Sequence, residues 1–105
     1  MIYHVQASLR KAKATELLKK LTDGTIARQR PDGPELVASM ERAVINEQRK
    51  VEWSEMCFCP SPLHHERATV LDQYFDSITT EPIEAHASYA GQPFMEYLRA
   101  IAIRI

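Results

Sequence analysis

The chain has 105 residues, 45% of them hydrophobic and 26% charged, with 13 Lys and Arg against 14 Asp and Glu for a net charge of −1. That size and composition predict one domain, residues 1–105, with a core that stands without disulfides; they exclude disorder, which needs fewer apolar residues and more net charge. Apolar runs are too short to span a bilayer, and Met1-Ile2-Tyr3-His4-Val5-Gln6 lacks the basic and apolar regions of a signal peptide, so a cytoplasmic protein with no membrane contact is expected.

Ile2 to Leu9 alternates as a strand, with Tyr3, Val5, Ala7 and Leu9 on the expected core face. Ala14, Leu17, Leu18 and Leu21 then repeat as one helical stripe, and Asp23-Gly24 is a helix stop. After Arg30-Pro31-Asp32-Gly33-Pro34, a second helix carries Leu36, Val37, Met40, Ala43 and Val44 and ends near Asn46. Lys50 to Cys59 reads as the second strand. Met56 and Phe58 are expected to face the core, which leaves Glu55, Cys57 and Cys59 on the open face unless a bulge intervenes.

Ser61-Pro62 starts a helix in cap-then-proline fashion, with Leu63, Leu71, Tyr74 and Phe75 as its apolar stripe and Val70 beside it. Ser77 to Ser88 is extended, and Pro82 marks it as an edge strand or a bend. Beyond Gly91-Gln92-Pro93, Phe94, Tyr97, Leu98 and Ile101 repeat as a helix; residues 101–105 fit either a helix end or a short strand. The fold class is therefore α+β: a small sheet of three to four strands with helices packed on one face. In element order alone this resembles a ferredoxin-like plan with helical insertions. The resemblance implies a homodimer, because such sheets often pair through open faces or edges.

The charge is divided unevenly. Residues 1–50 hold ten Lys/Arg and six Asp/Glu (+4), whereas residues 51–105 hold three and eight (−5). This asymmetry suits self-association and equally suits ordinary surface variation. The basic cluster Arg10, Lys11, Lys13, Lys19, Lys20 reads as a solvated helix face; without interleaved aromatics no nucleic-acid partner is expected.

Groups that can ligate metal or move protons concentrate in Met56-Cys57-Phe58-Cys59-Pro60-Ser61-Pro62-Leu63-His64-His65-Glu66-Arg67. Two cysteines at i and i+2 lie roughly 6–7 Å apart along a strand, badly placed for a disulfide, so free thiols are expected. Cys57 and Cys59 with one of His64 or His65 form one possible metal set, though the spacing departs from familiar zinc sites. Cys59 ahead of a helix forms a possible thiol nucleophile. Neither is assigned: no metal and no cofactor is expected. The leading expectation is a pocket for a small organic molecule on the open sheet face, lined by His4, Gln6, Trp53, Glu55, Cys57 and His86, with His and Glu as an acid/base pair and Trp as an apolar wall. The competing expectations are a non-catalytic homodimeric interaction module and a metal- or thiol-dependent site at the Cys57–Glu66 junction. No residue pattern decides whether the protein is an enzyme.

Overall fold

Strand β1 (Ile2–Leu9) buries Tyr3, Val5 and Ala7 and leaves His4, Gln6 and Ser8 half-buried. This is the face assignment its alternation predicts. The computed structural model describes residues 1–102. Helix α1 (Ala14–Thr22) follows, then α2 (Gly33–Arg42), which Pro34 opens. The chain leaves α2 at Ala43, whose extended ψ of 152° starts a two-residue strand, β2 (Val44–Ile45). A tight connection leads to β3 (Val51–Met56). Helix α3, residues 64–74, is α-helical at His64–Glu66 and Asp72–Tyr74 with a π-helical run at Arg67–Leu71 between them. Strand β4 (Phe75–Ile83), the short β5 (Gln92–Pro93) and helix α4 (Phe94–Ala102) complete the described chain. Ile101 and Ala102 belong to α4; residues 103–105 lie outside the described residues.

The fold is mixed α+β. Among the described residues, five strands form one open antiparallel sheet in the order β4-β1-β3-β2-β5. The sequence predicts three to four strands. The additional pair, β2 and β5, has two residues each, too few for alternation to register; long-range pairing alone defines them. Val44, expected on a helical stripe, is instead paired with Glu52.

The register of β1 against β3 sets the two faces. Val5 pairs with Trp53, Tyr3 with Glu55 and Ala7 with Val51, so Val51, Trp53 and Glu55 share the core face. Trp53 and Glu55 are 0% exposed, whereas Phe58 is 87% exposed. The expectation that Met56 and Phe58 face the core, with Glu55 and Cys57 outside, is therefore reversed. The pleat has period two, and β3 pairs with β1 without a bulge, so the phase set by Val51 and Trp53 persists through Glu55. Helix α2 packs on β3 and on α4, and α4 packs on α1, closing the core over this face. Among the described residues no helix is long and apolar enough to cross a membrane.

The opposite face is not open. Strands β4 and β5 lie at opposite edges, so the connection at residues 84–91 must cross the sheet. Four strand spacings need about 19 Å, and eight extended residues reach about 26 Å. This strap passes over β1 and β3: Tyr89 stacks on His4 with ring centroids 4.6 Å apart, and His86 Nδ1 lies 2.8 Å from Ser54 Oγ. It lands at Gly91, where a Cβ would sit 2.4 Å from the Ile45 carbonyl oxygen and φ is +153°, so glycine is required there. With Trp53 in the core and the strap over the sheet, the exposed face from which a dimer was expected is already covered by the chain itself. The long edge strand β4 carries Pro82 and a bulge, with Ser77 at φ +53°, both of which oppose pairing with a further strand.

Candidate functional site

Cys57 follows β3 directly and is held by the N-terminus. Its N–H donates to the Met1 carbonyl at 2.8 Å, and the Met1 amine donates to the Cys57 carbonyl at 2.9 Å. The next turn folds the chain back: the Cys59 N–H donates to Cys57 Sγ at 3.2 Å. Leu63 then takes a left-handed conformation, φ +55°, immediately before α3. That reversal brings the first turn of α3 under the end of β3. Glu66 is consequently 0% exposed, with Oε2 3.6 Å from Cys57 Sγ and 3.6 Å from Cys59 Sγ. The three ligand-type atoms all lie within 4.8 Å of one another.

Glu55 is the second buried acid. Its Oε1 accepts the Trp53 indole N–H at 2.8 Å. Burial pushes its carboxyl up to about 8, the indole bond opposes this, and the neighbouring Glu66, Glu35 and Asp32 add to the rise by charge repulsion. Burial also pushes the Cys57 thiol up to about 11, against the lowering effect of the Cys59 backbone N–H. Among the described residues, Glu55 Oε2 and Glu66 Oε1 are buried without a hydrogen-bond partner, and no salt bridge reaches either acid. The outer acids do have partners. Asp32 pairs with His65, and Glu35 accepts from Arg42 at 3.1 Å and from the Met56 N–H at 2.9 Å. A cleft of about 380 Å³, lined by Pro31, Asp32, Glu35, Met56, Phe58 and Cys59, reaches the junction at Cys59.

The six residues expected to line one sheet-face pocket are divided by the sheet. Trp53, Glu55 and Cys57 are on the core side. His4, Gln6 and His86 are on the strap side, where His4 Nε2 lies 2.6 Å from Glu52 Oε2 and Asn46 Nδ2 donates to Glu52 Oε1 at 3.0 Å. His4, Glu55 and His86 therefore do not converge, because alternate residues of a strand point to opposite faces. His64 is exposed and His65 is engaged by Asp32, so Glu66, not a histidine, joins the thiols. Residues 60–63 separate Cys59 from the first helical residue, His64, so it does not stand directly before the helix. Glu66 carried a signal that alternation and motif spacing passed over. It sits on the buried stripe Leu63, Glu66, Val70 at helical spacing, where a charged residue is out of place. Glu55 occupies the same anomalous position in the phase Val51, Trp53, Glu55, Cys57.

No protein-family model matches this chain, and neither a curated protein nor a solved structure matches it.

Proposed function

We propose that the chain is a ligand-binding domain of ferredoxin-like plan, that its site is the acid–thiol junction, and that its ligand is positively charged. The plan is supported by the order β4-β1-β3-β2, in which each helical connection, β1 to β2 and β3 to β4, passes over one intervening strand. The short β5 is then an addition at one edge.

The observation that carries the reading is the pair of fully buried carboxyls, each with an oxygen that has no partner among the described residues. Leaving one such oxygen unsatisfied costs about 1–3 kcal/mol, and an unpaired buried charge costs more. A fold that buries both carboxyls, with Glu66 near enough to repel the Glu55 charge, is destabilised at that point. A cation entering by the cleft removes the penalty and converts it into binding energy. The outer acids Asp32 and Glu35 line the entrance and favour approach by positive charge, and Phe58 and Met56 supply its apolar wall.

Thermal unfolding at pH 8 tests this. Zinc, magnesium and butylamine are compared as ligands of the full chain. A ligand at about 100 times its Kd adds about 2.7 kcal/mol, on the order of 10 °C for a domain of this size. At least one of the three should produce such a shift in the native chain and none in Glu66→Gln. If none shifts the native chain, and the Gln variant is less stable than the native one, the buried acids are structural and the reading falls.

A further inference from the structure

We propose that the cation at this junction is a zinc-class divalent metal ion, held by Cys57 Sγ, Cys59 Sγ and one carboxylate oxygen of Glu66. This rests on the cation reading above and narrows it to a chemical class.

The donor set makes the first argument. Two sulfurs and one oxygen converge within 4.8 Å. Thiolates select soft or borderline ions, whereas magnesium and calcium require oxygen ligands. An ammonium group fits poorly as well, since it needs good acceptors for three N–H donors and sulfur is a weak one.

The spacing makes the second. A tetrahedral zinc with Zn–S of about 2.3 Å and Zn–O of about 2.0 Å has S···O edges of about 3.5 Å. Both Sγ to Oε2 distances are 3.6 Å. Both sulfur-to-oxygen separations thus already match those that a tetrahedral ion imposes, and the two sulfurs lie within 4.8 Å of each other.

The third argument is preorganisation. Two backbone hydrogen bonds to Met1 fix Cys57, and the Cys59 N–H points at Cys57 Sγ, a contact that favours the sulfur when it carries negative charge. Glu66 is held by the first turn of α3, whose Arg67 N–H closes on the Leu63 carbonyl at 2.8 Å. Glu66 Oε1, buried and without a partner among the described residues, remains for bidentate contact or for a metal-bound water. Three protein donors leave one tetrahedral position, as in zinc sites that bind a water or a substrate. Binding forms two metal–sulfur bonds and one metal–oxygen bond to Glu66, displaces waters from the hydrated ion, and releases two thiol protons to solvent, with no change of oxidation state.

The experiment is titration of the reduced, chelator-treated full chain with cobalt(II), followed by zinc. The expected result is one equivalent of cobalt with thiolate-to-cobalt absorption in the near ultraviolet and tetrahedral bands in the visible, both abolished by zinc. Loss of an outer partner of a metal ligand costs about 10–100-fold in affinity, so Cys57→Ser and Cys59→Ser should each weaken cobalt binding by more than about 100-fold. Glu66→Gln, which keeps size and serves if a cysteine variant does not fold, should retain the sulfur band but weaken binding by at least about tenfold. His64→Ala should leave binding unchanged. Absence of the sulfur band, or a band that survives both cysteine substitutions in folded protein, overturns the proposal. If butylamine or magnesium stabilises the native chain but not Glu66→Gln while cobalt gives no sulfur band, the metal class fails and the cation reading stands. If no cation binds by either measurement, both fail.

Discussion

Strand β3 presents polar groups to two sides of one sheet, and the two sides treat them oppositely. Toward the strap, Glu52 is shared between His4 and Asn46, and Ser54 meets His86. Toward the helices, Glu55 and the nearby Glu66 are fully buried, and among the described residues each keeps an oxygen without a partner. Satisfied polar pairs hold a segment in place, whereas unsatisfied buried acids raise the energy of the fold locally. The contrast separates polar groups that the structure uses from polar groups that it leaves available. It also shows why the histidines are a poor guide here: His4 and His86 on the strap side are occupied by contacts with Glu52, Tyr89 and Ser54 of the same chain.

The largest effect is expected at Glu55. Its folded-state pKa of about 8 lies above the ordinary 4.5, with Glu66 from α3, Glu35 from α2 and Asp32 from the segment before α2 repelling its charge and the Trp53 indole partly opposing them. The folded state therefore holds this proton between about pH 4.5 and 8 while the unfolded state has lost it. The stabilisation from this group is complete below pH 4.5 and declines as pH rises toward 8. Urea unfolding across that range should lose a few kcal/mol from this group, and Glu55→Gln should flatten the slope and raise stability at pH 8. A variant with the native slope would mean that Glu55 is not the buried acid that strains this side.

An intermediate effect is expected on the strap. His4→Ala removes a stacked ring and leaves Glu52 with Asn46 alone, and should cost about 1–2 kcal/mol. Hydrogen exchange should accelerate across residues 84–91 while protection of β3 is kept. Equal acceleration across β3 would show that the strap is part of the core rather than laid over it. The converse sign, destabilisation here against stabilisation at Glu55, is the sharpest form of the contrast between the two sides.

The smallest effect belongs to the neighbouring surface. Arg67 adjoins Glu66 in sequence, yet it pairs with the exposed Asp72 at 3.1 Å. Arg67→Ala should change stability by less than about 0.5 kcal/mol. A larger loss, measured by the same urea titration, would mean that the long-range charge of Arg67 already compensates the buried acids.

Local pattern alone determined much of this protein. The alternation of Ile2 to Leu9 identified β1 and its core face, and the stripes of Leu17 and Leu21 and of Phe94, Tyr97 and Leu98 identified α1 and α4, because burial recurs with the period of each element. The free thiols followed from the covalent reach of two cysteines one residue apart. The concentration of reactive groups between Met56 and Arg67 was visible too, but its geometry was not. Only tertiary structure decided that Glu55 turns inward, since that depends on register against β1 and not on the hydrophobicity of Met56 and Phe58. Only the left-handed turn at Leu63 placed Glu66 against both sulfurs, and only the separation of β4 from β5 sent residues 84–91 across the sheet. Each of these is a contact between residues far apart or a single backbone reversal, and neither leaves a period in the sequence to be read.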